Sequence, residues 1–157
     1  MHLPELRHPG FAVRRATLDD VADIVALLID DPLGARRERT DDLAPYWQAF
    51  QAIDADPDQV LVVAERAGEV VATLQLTIIP GLSHRGALRG QLEGMRVAAA
   101  ERGAGLGTAL IRWAIDESRR RGCRLVQLTS HRSRGDAQRF YGRLGFEDTH
   151  AGFKLSL

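Results

Sequence analysis

Apolar residues along the chain recur at two spacings, every second position and every third or fourth, and each change of spacing marks a change of element. Phe11 to Arg15 reads as a short strand. Thr17 followed by Asp20 is an N-cap with an acid in the first turn. Val21, Ile24, Val25 and Leu28 carry that helix to about Ile29, where Asp31-Pro32-Leu33-Gly34 stops it. From about Asp41, Leu43, Tyr46, Trp47, Phe50 and Ile53 recur at helical spacing. The spacing favours a core-facing stripe; a second reading has Tyr46 or Trp47 lining a substrate pocket. Asp56-Pro57-Asp58 ends this helix.

Val60 to Arg66 and Val70 to Ile79 carry the clearest hairpin signature, joined at Ala67-Gly68-Glu69, with Thr73, Gln75 and Thr77 alternating with apolar neighbours. Pro80 to Gly86 is a loop whose His84 reads as solvated. Gln91 to Val97 is a strand interrupted by Gly94. Leu106, Ala109, Leu110, Trp113 and Ala114 then make one helical face, closed by Arg119-Arg120-Arg121, which complements the helix dipole, and by Gly122. Leu125 to Ser130 is a strand, and Ala137, Phe140, Tyr141 and Leu144 mark a short helix ending at Gly145. Phe146 onward and Phe153 to Leu157 read as two final short strands. Met1 to Gly10, with two prolines and no periodicity, reads as a poorly ordered lead-in. Residues 11–157 carry no repeat or linker and make one α/β domain.

Composition narrows the function classes. With 157 residues, 45% hydrophobic and 27% charged, the chain suits a single soluble core. The formal net charge is zero, so no global field attracts nucleic acid or an anionic membrane. Among 21 cationic residues one, Lys154, is a lysine; the arginines are scattered among equally many acids. The single cysteine, Cys123, excludes an intrachain disulfide and fits a reducing compartment. The N-terminus has no apolar core of a signal peptide, and no run approaches membrane-spanning length. The cytoplasm is the expected compartment. Five histidines and Cys123 show no metal-ligand spacing, so no metal is expected.

The chemistry is concentrated in Gln91 to Gly107, QLEGMRVAAAERGAGLG, where a strand and a glycine-rich turn run into a helix N-terminus. Such a junction is an anion site: the first N–H groups of the helix lack intrahelical partners, and glycines let a phosphate approach. A Walker loop would need a lysine after the last glycine, where Thr108 stands. A dinucleotide fingerprint read from Gly105 and Gly107 would need a third glycine at Leu110. The pattern that fits is Arg/Gln-x-x-Gly-x-Gly/Ala after a hydrophobic strand, filled by Arg102, Gly105 and Gly107. An ordinary glycine-rich turn remains the alternative for the loop taken alone.

This loop resembles the coenzyme A pyrophosphate loop of the GCN5-related N-acetyltransferase (GNAT) superfamily. A second stretch strengthens the likeness: Ala137, Phe140, Tyr141, Gly145 and Phe146 fill the A-x-x-F-Y-x-x-x-G-F helix that follows the loop in that family. The element order β-α-α-β-β-β-α-β-α-β also matches, so the resemblance spans nearly the whole chain. It implies an α/β (α+β) GNAT-like domain with a mixed, mostly antiparallel sheet, a splay between its two central strands, and about four flanking helices.

The resemblance also implies acetyl-CoA as co-substrate and transfer of its acetyl group to an amine of a small molecule. The pantetheine arm would pair with the backbone of the strand at Met95, Arg96 and Val97, with Gly94 as a bulge that helps open the splay. Arg102, Gly103, Ala104, Gly105, Leu106 and Gly107 would cradle the pyrophosphate, and Thr108 would add a hydroxyl. His131 and Phe140 complete the expected cofactor contacts; His131 stands where many relatives carry asparagine, and it is also a candidate base. Glu93 is the expected general base, acting directly or through water, and its competing role is a surface ion pair. Tyr141 occupies the usual general-acid position, against simple packing beside Phe140. A backbone N–H near Met95 is the expected oxyanion donor.

Two other functions compete: a CoA-binding sensor without catalysis, and a protein or peptide acetyltransferase. The second would need an acidic acceptor groove, for which Asp30, Asp31, Asp41 and Asp42 are available, although helix caps explain them equally well. Family members often dimerise, and a homodimer is a further expectation.

Overall fold

The computed structural model describes residues 7–8, 10–31 and 33–156. A six-stranded sheet runs through them in the spatial order β1-β2-β3-β4-β5-β6. The strands are Arg7–His8 (β1), Phe11–Arg15 (β2), Gln59–Arg66 (β3), Glu69–Ile79 (β4), Leu88–Val97 (β5) and Cys123–Leu128 (β6). Neighbours are antiparallel as far as β5, and β6 joins parallel to β5. A parallel partner needs a crossover. Helix α3 (Leu106–Arg120) supplies it, beside α1 (Val21–Ile29), α2 (Ala44–Ala55) and α4 (Gly135–Arg143). This is the mixed, open sheet with four helices that the resemblance implies.

Alternation along the strands feeds two cores. On one face Val63 meets Ala16, Val21, Ile24, Val25 and Phe50, from α1, α2 and the segment before them. On the other, Val62, Ala64, Leu74, Leu76 and Leu92 meet Leu106, Leu110, Ile111, Trp113 and Ala114 of α3. Val62 and Val63 are consecutive and fully buried on opposite sides, as the two-residue period of a strand covered on both faces requires. Arg14 joins β2 to both Asp20 and Glu65, and Asp20 also accepts the Thr17 N–H at 2.7 Å. The Arg14 guanidinium, ahead of the Thr17 contacts, holds the Asp20 carboxyl at about 2. The basic run after α3 has a structural job: Arg120 and Arg121 hydrogen-bond the fully buried Glu117 at 2.7 Å, and Arg121 reaches the Pro57 carbonyl.

Several boundaries shift from the expected ones. β5 begins at Leu88 and β6 runs over Cys123–Leu128, earlier than Leu125 to Ser130. α2 starts at Ala44, where Asp42 Oδ1 accepts the Ala44 N–H at 3.0 Å. Within its stripe Phe50 is buried, whereas Trp47 is 46% exposed and does not face the core. Arg7–His8 pairs with Phe11–Ala12; the rest of the expected lead-in, Met1 to Leu6 and Pro9, lies outside the described residues.

The two final strands do not form over residues 146–156. Phe146 turns back onto Tyr141, with ring centroids 5.7 Å apart and its N–H on the Tyr141 carbonyl. Phe153 and Leu155 are 93% and 87% exposed. Their apolar alternation has no covered face to enter, and period two without burial does not hold a strand. Leu157, the expected end of the last strand, lies outside the described residues.

Candidate active site

The site is built around an interruption in the sheet. Antiparallel pairing sets Thr73 opposite Arg96 and Gln75 opposite Glu93, so Leu74 alone faces both Gly94 and Met95. That is a β-bulge, and Gly94 carries it with φ +60°, a left-handed value that glycine adopts without a Cβ penalty. On the other side of β5 the parallel ladder with β6 runs from Leu88–Cys123 to Leu92–Leu128 and stops. β5 continues through Glu93 to Val97 past the end of β6. The strands therefore part beside Met95 and Val97.

The glycine loop sits at the end of that opening. Ala99–Glu101 makes one tight turn, and Gly105 caps α3 with φ +86°. No side chain caps this helix among the described residues, so the N–H groups of its first turn face the loop without an intrahelical acceptor. Gly107 is the closest approach: a Cβ there would stand 3.0 Å from Met95 Cε, 3.6 Å from Phe140 Cζ and 3.7 Å from Val97 Cγ2. Four of the residues singled out in the sequence thus meet at one point, from β5, α3 and α4. A pantetheine-like chain and a diphosphate fit this combination of unpaired strand, short side chains and free N–H donors. Leu106 is buried in the core below, whereas Thr108 is half-buried.

Arg102 behaves differently from a phosphate clamp. Its guanidinium donates to the Val97 carbonyl at 3.0 Å and to the Asp30 carboxylate at 2.8 Å. Asp30 also accepts the Ala99 N–H at 3.2 Å, so the end of α1 holds the loop in place. His131, just past β6, is exposed; its Nδ1 accepts the Ser133 N–H at 3.2 Å and lies 2.7 Å from the Ser133 hydroxyl. That bonding leaves Nε2 for contact outside the turn.

Tyr141 packs edge-on against Phe140, 5.1 Å between centroids, and against Phe146. Among the described residues its hydroxyl has no hydrogen-bond partner. Burial pushes the hydroxyl above the ordinary phenol range, against the pull of Arg96 and Arg134. At neutral pH it is a protonated donor. Glu93 is exposed, and among the described residues no hydrogen bond or ion pair holds its carboxylate. Its cross-strand partner Gln75 lines a cavity of about 210 Å³ with Tyr46, Phe50, Ile53, Thr73 and Gly94. Residues paired across an antiparallel ladder share a face, so Glu93 stands at the rim of that cavity. Tyr46 lines it while Trp47 does not; the Tyr46 hydroxyl is tied to Glu38 at 3.0 Å and accepts the Arg39 N–H.

The acids considered for an acidic groove are all engaged. Asp30 holds Arg102, Asp31 holds Arg96 and Arg134, Asp41 pairs with Arg39, and Asp42 accepts the Ala44 N–H at the start of α2. Among the described residues no three or more His, Cys, Asp or Glu side chains group as a metal site, and no helix is long and apolar enough to cross a membrane.

Residues 21–146 match the acetyltransferase (GNAT) family. The chain belongs to that family. It is 30% identical over 149 residues to an aminoalkylphosphonate N-acetyltransferase of Salmonella typhimurium, covering 95% of this chain and 93% of that one. A glucosamine 6-phosphate N-acetyltransferase of Trypanosoma brucei brucei is 36% identical over 90 residues, 57% of this chain and 59% of the relative. Among solved structures, a protein of Bacillus halodurans described as a transcriptional regulator superposes with a TM-score of 0.91. It is 41% identical, over 94% of this chain and 99% of its own. The GNAT membership agrees with the mixed, open sheet and its four helices.

What sequence reasoning missed is the cluster of Asp31, Arg96 and Arg134. Its members come from three separate elements and carry no local motif.

Proposed function

We propose that this GNAT protein is an acetyl-CoA-dependent N-acetyltransferase for a primary amine of a small molecule. The observation that carries the reading is the β5–β6 ladder ending at Leu92–Leu128 while β5 runs on beneath the N-terminus of α3 and beside α4. The unpaired backbone of Met95 to Val97 and the first turn of α3, from Gly103 to Thr108, would hold the cofactor. Acetyl-CoA, when bound, supplies the acetyl group as a thioester. Glu93 takes a proton from the acceptor ammonium, directly or through water, because only the neutral amine is a nucleophile. Tyr141, a phenol that burial raises still further above neutral pH, would give its proton to the departing sulfur. A backbone N–H near Met95 would be the donor to the thioester carbonyl oxygen.

Small-molecule acceptors are supported by the two N-acetyltransferase relatives, which act on an aminoalkylphosphonate and on glucosamine 6-phosphate. The engaged state of Asp30, Asp31, Asp41 and Asp42 argues against a groove for basic peptides. The Bacillus halodurans relative, described as a regulator, favours one second reading: a CoA-binding sensor. Release of free CoA thiol across an amine panel decides between them. Turnover of any small amine supports the enzyme; tight acetyl-CoA binding with no thiol release on the whole panel overturns it.

A further inference from the structure

Arg96 of β5 and Arg134, immediately before α4, converge on the one carboxylate of Asp31 at the end of α1. Arg134 lies 2.6 Å from Oδ1, and Arg96 Nε lies 3.0 Å from Oδ2. The three side chains are 29%, 18% and 16% exposed in the order Arg134, Arg96, Asp31. Asp31 Oδ1 also accepts the N–H groups of Leu33 at 2.8 Å and Gly34 at 3.0 Å. Oδ2 and Arg96 Nε, though close, are both buried without a properly directed hydrogen bond. One oxygen of Asp31 is crowded with donors, and the contact to Arg96 is charge without geometry. Among the described residues the Arg96 guanidinium donates one hydrogen bond, to the Met95 carbonyl at 2.8 Å. Arg37 adds a third positive charge to the field at Arg96. Two guanidiniums thus face one carboxylate, leaving one positive charge uncompensated in a half-buried site.

The location gives this excess charge a use. Arg96 and Arg134 are the cations that act on Tyr141, the proposed acid. Arg96 pairs with Thr73 and Glu93 with Gln75, and Thr73 and Gln75 line the same cavity. The proposed base and Arg96 therefore lie on one face of β5, three residues and a bulge apart, with backbones roughly 10 Å apart along the strand, and Asp31 brings Arg134 to the Arg96 end. Side chains that project from one face at that separation can converge on the two ends of a short aminoalkyl chain. Guanidinium forks match oxyanions with several acceptor oxygens, and the three oxygens of a phosphonate or phosphate monoester can take two converging forks where a carboxylate offers two oxygens.

We propose that Arg96 and Arg134 bind the phosphonate or phosphate-monoester group of the acceptor, and so select oxyanion-bearing amines. The inference rests on the N-acetyltransferase reading above and names its substrate class.

The test compares 2-aminoethylphosphonate with propylamine, and glucosamine 6-phosphate with glucosamine, in acetyl-CoA-dependent thiol release. At least one oxyanion amine should exceed its uncharged counterpart by about 10- to 100-fold in kcat/KM, the effect of a charge-assisted contact. The two pairs separate a phosphonate from a phosphate source. R134M should abolish the preference while acetyl-CoA affinity is retained, which shows that the variant is folded. Turnover of neutral and oxyanion amines alike, or a preference that survives in R134M, overturns the proposal and leaves the acetyltransferase reading intact. Calorimetry of 2-aminoethylphosphonate and glucosamine 6-phosphate with the acetyl-CoA-loaded protein is a second readout. Binding lost in R134M supports the site even without turnover, and no binding of either to the wild type, or equal binding to both proteins, overturns it. Absence of thiol release with every amine sinks the acetyltransferase reading alone.

Discussion

Asp31 holds Arg134 at 2.6 Å, and so ties the chain just past α1 to the segment that leads into α4. Together with Asp30 on Arg102, it makes the end of one helix the common anchor of the glycine loop and of the cationic pair. Burial alone would raise the Asp31 carboxyl. The Gly34 N–H, Arg134 and the Leu33 N–H outweigh it and bring the group to about 2. A carboxylate held below its unfolded value stabilises the fold above the unfolded pKa of 3.8 and loses that contribution as pH falls towards 2. D31N should therefore cost about 2 kcal/mol of unfolding free energy at pH 7. Urea titrations of both proteins should converge between pH 4 and 2; a gap that stays constant through that window would show that the ionised carboxylate is not the source.

Tyr141→Phe should reduce kcat by about 100-fold or more, in the range of a lost general acid, with acetyl-CoA affinity nearly unchanged. Burial raises the phenol above its ordinary range, so the protonated form persists through mildly alkaline pH, and the wild-type rate should show no loss there from this group. An unchanged kcat in the variant removes Tyr141 from the role.

Glu93→Gln should depress the rate most at low pH, where the amine is most fully protonated and a base has most to remove. The slope of log(kcat/KM) against pH should steepen relative to wild type. A uniform decrease at every pH would assign Glu93 to binding instead.

Gly105→Val should weaken acetyl-CoA binding, measured by calorimetry. No neighbouring atom lies within 4 Å of a Cβ at this position, so the effect comes from the backbone. A φ of +86° is strained for a β-branched residue by about 1–3 kcal/mol, and relaxing it turns the N–H groups of the first α3 turn away. Retained affinity would move the pyrophosphate site off the loop.

How much of this was legible in the sequence follows from how local each signal is. Gly94 within an alternating strand announces a bulge, and Gly105 and Gly107 before an amphipathic stripe announce an open helix start; each is decided within a few residues. Ala137 to Phe146 is equally local. The Asp31, Arg96 and Arg134 cluster is not, because only the sheet and α1 bring those residues together, and an isolated arginine among twenty-one cations carries no signal. The strand expected at Phe153 failed for the converse reason. Alternation describes a segment's own capacity, and pairing depends on what another part of the chain offers.

The position of the parted strands has a kinetic consequence. β3, β4 and β5 are consecutive in sequence and pair with near neighbours, whereas β6 must wait for α3 to cross over. Contacts that close short loops form before those that close long ones. The seam between β5 and β6 should therefore be the last part of the sheet to assemble, and pulse-labelled hydrogen exchange should protect Val62 and Leu76 before Val126. Simultaneous protection of all three would refute that order. If it holds, a newly made chain has most of its scaffold before it has any activity, and damage to α3 would silence the protein while much of its structure survives.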